Sequence, residues 1–220
     1  MNISLPPVFD VIYLDAVDSV TAELQRRAAE GAEEGTLIWA GEQTQGKGQH
    51  GPWVSPPGGL YCAVLLRPDF AKAHWPEIGP VALLALGTAV AELLPPMTGL
   101  DFAWPNDVLV NGYKVGGISL QQAAPDGLII TAQLNVAPPV EAWEYASLLA
   151  DGAAETTPGE ALERYARYLL DNLQRWHDEG IASIYRSMRA RGMPGIERDG
   201  SLAEPSQFTP LSDFFAEVTQ

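Results

Sequence analysis

The dipeptide Asn111-Gly112 constrains the fold of this chain more than any other feature of the sequence. It stands between two short apolar runs, DVLV at 107–110 and YKV at 113–115. Asn and Gly both tolerate the positive φ angles that a type I′ turn demands, so the pattern predicts a two-residue β-hairpin. The predicted register pairs three positions across the turn: Val110 with Tyr113, Leu109 with Lys114, and Val108 with Val115.

In that register Asp107 and Lys114 lie on the same face of the hairpin, because side chains alternate along a strand. They are diagonal neighbours, about 7–8 Å apart at the backbone. The pair has two interpretations at this point. It either pins the register as a cross-strand ion pair, or it places two opposite charges at a functional site.

The composition is that of a globular chain with room for a substantial core. Its 220 residues suit one large domain with a small appendage, and 46% of them are apolar. The single cysteine, Cys62, excludes an internal disulfide, and no cluster of metal ligands is evident. The start shows no secretory pattern, and no apolar window reaches the expected length of a membrane span. We therefore expect a cytoplasmic protein.

The formal net charge of the chain is −15. A negative field argues against binding to nucleic acid or to an anionic membrane, so neither is expected as a partner. An anionic substrate would depend on a local basic cluster. The few lysines in the middle of the chain are therefore more informative than usual.

Hydrophobic periodicity and capping residues predict strands in the first two-thirds of the chain and helices after them. The predicted strands, besides the hairpin and its extension to 122, are 9–14, 36–41, 60–67 and 128–136. The first predicted helix is capped by Asp18 or Ser19 and runs to about Glu30, with an apolar stripe of Val20, Leu24 and Ala28. The other predicted helices are 75–94, 140–150, 158–178, which starts with a capping box of Thr157 and Glu160, 181–190 and a short one at 210–218. Strand and helix do not alternate strictly, which favours an α+β fold with a mainly antiparallel central sheet and helices packed on one face.

A glycine-rich loop, GKGQHG, spans 46–51. Its three glycines let the backbone approach a ligand and present N–H groups to an anion, and Lys47 adds a charge that suits phosphate. The loop is not a P-loop, because Ser or Thr does not follow a GK pair at the required spacing. Most glycine-rich loops are ordinary surface loops, so this loop taken alone is a weak indication of function.

Five segments occur in a telling order: DSVTAEL at 18–24, GEQTQGKGQHG at 41–51 with Trp53 after it, GGLYCAVLLRP at 58–68, WPNDVLVNGYKVGGI at 104–118, and LNV at 134–136. Together they resemble the catalytic domain of biotin protein ligases, of the biotin/lipoate ligase superfamily, over about residues 8–190. The resemblance is to a divergent member. It implies a catalytic domain over 1–190 and a short C-terminal segment, 191–220, that is a truncated remnant of a small β-domain.

The resemblance implies an ATP-dependent reaction in two steps. The carboxylate of biotin, or of a related acid, attacks the α-phosphate of ATP in the presence of Mg²⁺, which gives an acyl-adenylate and pyrophosphate. A lysine of an acceptor protein with a biotinyl or lipoyl carrier domain then takes the acyl group. The expected partners are that carrier protein and, for assembly, a second copy of the chain in a homodimer.

The resemblance also implies roles for individual residues. Lys114 resembles the lysine that holds the acid carboxylate and the α-phosphate, Asn106 a phosphate- or metal-side contact, and Asp107 the acid that assists amine attack or positions Mg²⁺. The implied acid-binding residues are Ser19, Gln43, Gly46, Lys47, Trp53, Gly116 and Gly117. The implied ATP- and adenylate-binding residues are Lys47, Gly48, Gln49, His50, Asn106 and Lys114.

The sequence departs from the family pattern at several places. The loop has Gln49 and His50 where arginines are usual, Ala103 stands where a lysine usually precedes WPND, Val20 replaces a hydroxyl residue, and AQLNV at 132–136 has lost glycines. Two alternatives to the ligase therefore stay open. One is a lipoate or octanoate transferase, for which Cys62 is the only thiol. The other is a non-catalytic relative that binds a ligand without turnover.

Overall fold

The computed structural model describes residues 3–48, 51–137, 146–153, 155–203 and 208–211. The strands are β1 Asp10–Val17, β2 Thr36–Gln43, β3 Lys47–Gly48, β4 Gly51–Pro52, β5 Leu60–Leu66, β6 Leu100–Ala103, β7 Asp107–Val110, β8 Tyr113–Ala123 and β9 Gly127–Leu134. The helices are α1 Val20–Ala29, α2 Ile78–Leu93, α3 Pro158–Glu179 and α4 Ile181–Ala190, with a 3₁₀ turn at Lys72–Glu77. The predicted α+β class is confirmed.

A seven-stranded sheet in the order β1-β2-β5-β9-β8-β7-β6 forms the centre of the protein. β1 and β2 run parallel, and the other neighbouring strands in this sheet pair antiparallel. Parallel neighbours need a crossover connection, and α1 lies in the one that joins β1 to β2. The mainly antiparallel sheet that the sequence predicts is therefore present.

Helices cover both faces of this sheet. α2, α3 and α4 pack on the face that carries the even-numbered residues of β5. α1 packs on the face that carries the odd-numbered ones, through the stripe predicted for it: Val20, Leu24 and Ala28. The prediction of helices on one face holds for three helices and is corrected for α1. The physical reason is that β5 is apolar at every position, so both faces at the centre of the sheet need a cover.

α2 is the central core helix, and every residue from Ile78 to Val90 is buried. Residues 72–93 have the length and composition of a membrane span, with a mean hydropathy of 1.3, which corrects the expectation that no window reaches that length. In this structure 78% of the most apolar window is buried inside the protein. Packing against β8 and α3 is a sufficient reason for such an apolar helix.

α3 begins with the capping box that the sequence predicts. Thr157 Oγ1 accepts a hydrogen bond from the backbone of Glu160, and the Glu160 carboxylate accepts one from the backbone of Thr157, with Pro158 in the first turn. These bonds satisfy N–H groups that a helix start otherwise leaves unpaired. α4 has the predicted bounds.

The hairpin turn is confirmed, with φ of 50° at Asn111 and 83° at Gly112. The pairs Leu109–Lys114 and Val110–Tyr113 also form as predicted. Beyond them the register shifts by one residue, so that Val108 faces Gly116 and Asp107 faces Gly117. The predicted Val108–Val115 pair is therefore wrong, because a bulge inserts one extra residue into β8.

Two predicted helices are not confirmed. Residues 146–150 lie in turns or in backbone without regular secondary structure, and the rest of the predicted helix at 140–150 lies outside the described residues. The predicted helix at 210–218 falls almost entirely outside them too. Within 191–203, Met193 and Ile196 pack into the main core, and one antiparallel bridge joins Ile196 to Leu202. The division of the chain near residue 190 stays a prediction.

Candidate active site

The predicted pair at the hairpin is formed. Lys114 Nζ lies 2.8 Å from Asp107 Oδ1, with 34% of the lysine side chain and 18% of the aspartate side chain exposed. Asp107 Oδ1 is itself buried, and apart from this contact with the ammonium it has no hydrogen-bond partner among the described residues. The carboxylate is thus held by charge attraction and keeps acceptor capacity for another partner.

The bulge in β8 determines what lies beside this pair. In a regular strand, positions 114 and 117 point to opposite faces, and the extra residue brings both onto the face of Asp107. A Cβ at Gly117 would stand 3.0 Å from Asp107 Oδ1 and 3.7 Å from Lys114 Cε. Gly117 therefore leaves bare backbone next to both charges.

Gly116 has a different structural reason to be glycine. A Cβ there would lie 2.7 Å from the backbone oxygen of Gln133 on the neighbouring strand β9. The absence of a side chain at 116 lets β8 and β9 pair at this point, so this glycine supports the sheet beneath the site.

Trp53 covers the lysine from the loop side. The Lys114 ammonium lies 5.0 Å from the centroid of the Trp53 ring, within the range of a cation–π contact. The indole Nε1 is buried and has no hydrogen-bond partner among the described residues. Buried polar groups are nearly always paired in folded proteins, so this indole N–H has capacity to donate to a water molecule or a ligand.

Asn106 lies at the turn between β6 and β7 and is only 4% exposed. Its backbone is fully used, donating to Ala103 and accepting from Ile118. Its side-chain amide has no hydrogen-bond partner within the described part of the chain. Ala103 stands directly opposite Asp107 in the β6–β7 pair, so the position where a lysine is usual adds no charge here.

Gln43, at the end of β2, is the centre of a buried hydrogen-bond network. Its Oε1 accepts from the backbone N–H of Val20 at 2.9 Å. Its Nε2 donates to Ser55 Oγ and to Gln133 Oε1, both at 2.9 Å. Both amide hydrogens of Gln43 therefore already have a protein partner.

Ser19 is the N-cap of α1, which places it next to Gln43. Its Oγ accepts from the backbone of Ala22 at 3.5 Å, a long capping bond. Asp18 accepts from the backbone of Ser19 and pairs with Arg26. Hydrogen bonds from Arg26, and then from the Ser19 backbone, lower the pKa of Asp18 to about 2. The start of α1, with its partial positive charge, thus faces the same region as the loop.

The glycine-rich loop folds back as the β3–β4 hairpin. Gly46 is buried, and a Cβ there would lie 2.4 Å from the Trp53 carbonyl oxygen, so only glycine allows this close return. The Lys47 side chain is exposed, whereas its carbonyl oxygen accepts a hydrogen bond from Gln133 Nε2 at 2.8 Å. Gly48 lies against the Trp53 ring. Gln49 and His50 lie outside the described residues, so their predicted ATP contacts stay predictions.

The structure adds site residues that sequence reasoning missed. Gln133 joins the network at Gln43, and Thr131 Oγ1 lies 2.7 Å from Thr21 Oγ1 on α1. A signal for both was present, because polar residues alternate with apolar ones near the end of β9, in the run TAQLNV at 131–136. Alternation of this kind indicates that one face of the strand meets a polar environment.

Cys62 is buried on the opposite face of the sheet. Its side chain belongs to the core under α2 and α3, whereas Trp53, which covers Lys114, packs on the α1 side. Burial raises the pKa of the Cys62 thiol to about 12. A thiol that is protonated and separated from the lysine by the sheet is not placed to act as the nucleophile of an acyl transfer.

A sequence model of the biotin/lipoate A/B protein ligase family matches residues 5–190 of this chain. The chain belongs to the biotin/lipoate A/B protein ligase family. The match includes every site residue described above and confirms the resemblance drawn from the motifs. In this member of the family the Lys114–Asp107 ion pair, the bare backbone at Gly117 and the Trp53 ring over Lys114 are all present.

Relatives within this ligase family align at modest identity. The bifunctional ligase/repressor BirA of Bacillus subtilis is 33% identical over 132 residues, which are 57% of this chain and 40% of that protein. The biotin–acetyl-CoA-carboxylase ligase of Paracoccus denitrificans is 29% identical over 216 residues, 91% of this chain and 90% of that protein. The chain thus spans less than half of the Bacillus relative.

A solved structure of the same fold contains ligands. The biotin protein ligase from Aquifex aeolicus in complex with biotin and ATP has a TM-score of 0.66 and 27% identity to this chain. The alignment covers 85% of this chain and 79% of the Aquifex chain. The family and the fold of the biotin/lipoate ligases are therefore established for this chain by sequence and by structure.

Proposed function

We propose that this chain is an ATP-dependent ligase that activates biotin, or a related carboxylic acid, and transfers it to a lysine of an acceptor protein. The observation that carries this proposal is the Lys114–Asp107 ion pair beneath the ring of Trp53. A cation, a carboxylate with spare acceptor capacity and an aromatic cover with an unpaired donor stand together there. Such a site suits a ligand that is both anionic and aromatic, as ATP is.

The first step joins two anions. An oxygen of the acid carboxylate attacks the α-phosphorus of ATP and forms the oxygen–phosphorus bond of the acyl-adenylate. The bond from the α-phosphorus to the oxygen that bridges to the β-phosphate breaks, and pyrophosphate leaves. The Lys114 ammonium offsets the negative charge that builds on the α-phosphate oxygens. Because Gly117 has no side chain, the carboxylate and the phosphate both have access to that ammonium.

The second step is an acyl transfer. The amine of an acceptor lysine attacks the acyl carbon of the adenylate, the acyl–oxygen bond breaks, and AMP leaves. The attacking amine loses a proton, and a carboxylate within reach assists that loss as a general base. Asp107 is the residue we assign to this role, because its buried Oδ1 keeps acceptor capacity.

Mg²⁺ supplies neutralising charge on the phosphates when it is bound with ATP. It commonly uses only one or two protein carboxylates and takes its other ligands from phosphate and water. Within the described residues no group of three or more potential metal ligands occurs. Asp107 is the carboxylate on this face that would contact Mg²⁺, with Asn106 beside it.

The comparisons support this function. The Aquifex protein is a biotin protein ligase in complex with biotin and ATP, and the Paracoccus protein, aligned over nine-tenths of both chains, is a biotin–acetyl-CoA-carboxylase ligase. We extend the nucleotide, the carrier-protein acceptor and a substrate that is biotin or a related carboxylic acid to this chain by that similarity. A homodimer and a cytoplasmic location stay predictions, for which light scattering and cell fractionation are the direct measurements.

The test is pyrophosphate release by the purified protein with ATP, Mg²⁺ and biotin, lipoate or octanoate, one at a time. Lys114→Ala is expected to lower kcat/KM by at least about 100-fold, because it removes a charge that acts on the developing phosphate. Lys72→Ala is the matched control. Lys72 also lies 2.8 Å from a carboxylate, Asp126, and 5.2 Å from a tryptophan ring, but outside this site.

Three results would count against the ligase. They are no pyrophosphate with any of the acids, an equal loss in Lys114→Ala and Lys72→Ala, or pyrophosphate without transfer of the activated acid to a biotinyl or a lipoyl carrier domain. Calorimetric binding of ATP and an acid without pyrophosphate release would favour the non-catalytic relative instead. The cysteine-dependent transferase has no support from the position of Cys62.

A further inference from the structure

Gln133 links the sheet beneath the site to the glycine-rich loop above it. It points from β9 to the same region as Gln43 and is only 5% exposed. Its Oε1 accepts from Gln43 Nε2 at 2.9 Å, and its Nε2 donates to the carbonyl oxygen of Lys47 at 2.8 Å. One side chain thus ties a sheet strand to both β2 and the glycine-rich loop.

A second bridge stands beside it. Thr131 lies two residues before Gln133 on β9, and its hydroxyl is 2.7 Å from the hydroxyl of Thr21 on α1. Both bridges are direct contacts between protein atoms at hydrogen-bond distance. At these distances neither a water molecule nor a ligand group can lie between the two bonded atoms.

Gln133 lies close to the Lys114–Asp107 pair, and this position limits how far a bound acid can extend across the sheet. In the β8–β9 register Gln133 stands directly opposite Gly117, the residue beside Lys114 and Asp107. Neighbouring strands are about 4.8 Å apart. An acid whose carboxylate meets Lys114 and whose tail runs across the sheet toward Gln43 therefore encounters the Gln133 side chain one strand further on.

The hydrogen-bonding groups at that end are also taken. Both amide hydrogens of Gln43 are donated to Ser55 and Gln133, and its oxygen accepts from Val20. A polar ring that sought the Gln43 amide would have to break one of these buried bonds. An aliphatic tail makes no such demand.

We propose that Gln133 is the residue that determines which acid this site takes. With Thr131 it closes the far end of the acid site, so that a narrow, unbranched aliphatic carboxylic acid is bound in preference to the fused rings of biotin. This inference rests on the proposed function for the place of the carboxylate at Lys114. Its test uses binding alone, so that the two can fail separately.

The experiment is isothermal titration of the full chain with octanoate and with biotin, without ATP. Octanoate is expected to bind wild type at least about tenfold more tightly than biotin. Gln133→Ala opens the far end and is expected to tighten biotin at least about tenfold while changing octanoate by less than about threefold. Gln133→Leu keeps the volume and is expected to leave biotin weak. Gln122→Ala, at an exposed glutamine of β8, is the control for loss of a strand glutamine.

Circular dichroism and melting temperature establish that each variant is folded, and Gln133→Ser replaces Gln133→Ala if the latter is not. The proposal is overturned if biotin affinity is the same in wild type and Gln133→Ala, absence of binding in both included. It is also overturned if Gln133→Leu gains biotin as strongly as Gln133→Ala. Pyrophosphate release then separates the proposals. If Gln133→Ala changes the preference between acids but no pyrophosphate is released, only the proposed ligase activity is wrong. If pyrophosphate is released but the preference is the same in wild type and Gln133→Ala, only the role of Gln133 is wrong.

Discussion

The ammonium of Lys114 lies 5.0 Å from the centroid of the Trp53 ring. The two residues come from different parts of the chain, Trp53 from the segment after β4 and Lys114 from β8. Their contact places the aromatic residue of the loop over the cation of the sheet. A nucleotide that binds to Lys114 through its phosphate therefore finds an aromatic face close to its base or to the tail of the acid.

Removal of that aromatic face is expected to weaken ATP binding. Trp53→Ala should raise the KM for ATP by about 5- to 150-fold, since stacking of a base on an aromatic side chain contributes about 1–3 kcal/mol. Trp53→Phe keeps a ring and should retain most of the affinity. Steady-state pyrophosphate release over a range of ATP concentrations measures both. An unchanged KM in Trp53→Ala would show that the base lies elsewhere.

The two adjacent glycines of β8 are expected to respond differently to alanine. At Gly116 a Cβ meets the backbone of β9 at 2.7 Å, so Gly116→Ala should lower the free energy of unfolding by about 1–3 kcal/mol. At Gly117 it meets the Asp107 side chain at 3.0 Å and the Asn106 backbone oxygen at 3.2 Å, a milder clash that small shifts relieve. Gly117→Ala should therefore stay folded and lose activity, because the ion pair moves.

Urea denaturation and pyrophosphate release, run on both alanine variants, separate these effects. The expected result is a lower urea midpoint for Gly116→Ala and a near-normal midpoint with reduced kcat/KM for Gly117→Ala. Full activity in a folded Gly117→Ala protein would contradict the bare backbone as a requirement of the site.

Cys62 is expected to be dispensable for acyl transfer. Burial raises the pKa of its thiol to about 12, so the thiol is protonated at neutral pH and faces the core opposite the site. Cys62→Ala should keep the rate of transfer to a carrier domain within about twofold and cost about 1 kcal/mol of stability for the small volume lost. A complete loss of transfer in a folded Cys62→Ala protein would revive the cysteine mechanism.

Asp18 is expected to make stability at the start of α1 depend on pH. Hydrogen bonds from Arg26 hold its pKa at about 2, below the usual 3.8. A carboxyl whose folded pKa is lowered stabilises the fold above its unfolded pKa, and that contribution is lost as pH falls from about 4 to about 2. Since both side chains are well exposed, the effect is at most about 1 kcal/mol.

Urea denaturation of wild type and Asp18→Asn across this pH range measures the effect. The variant should be less stable at pH 7, and the difference should shrink as pH falls below about 4. A difference that stays constant with pH would mean that the Asp18 side chain contributes through packing or capping rather than through its charge.

Local chemistry made much of the fold predictable. The Asn111-Gly112 turn, the apolar stripe and cap of α1, and the capping box at Thr157 all depend on neighbours within a few residues, and all are present. The β8 bulge was not predictable from the turn, because a bulge depends on how both strands pack on the rest of the sheet. The position of α1 on the second face was not predicted either, because it also depends on how distant parts of the chain pack on the sheet.

The sequence by itself determined the family, the turn and the identity of the charged pair, since these follow from motif order and from short-range backbone preferences. Only the tertiary structure decided what surrounds that pair. Trp53 and Gln133 are distant from Lys114 in the chain. Trp53 covers Lys114 because the loop folds back over the sheet, and Gln133 stands opposite Gly117, which the register shift of β8 brings beside Lys114. Hydrogen bonds between such residues depend on strand order and register, which no local pattern specifies.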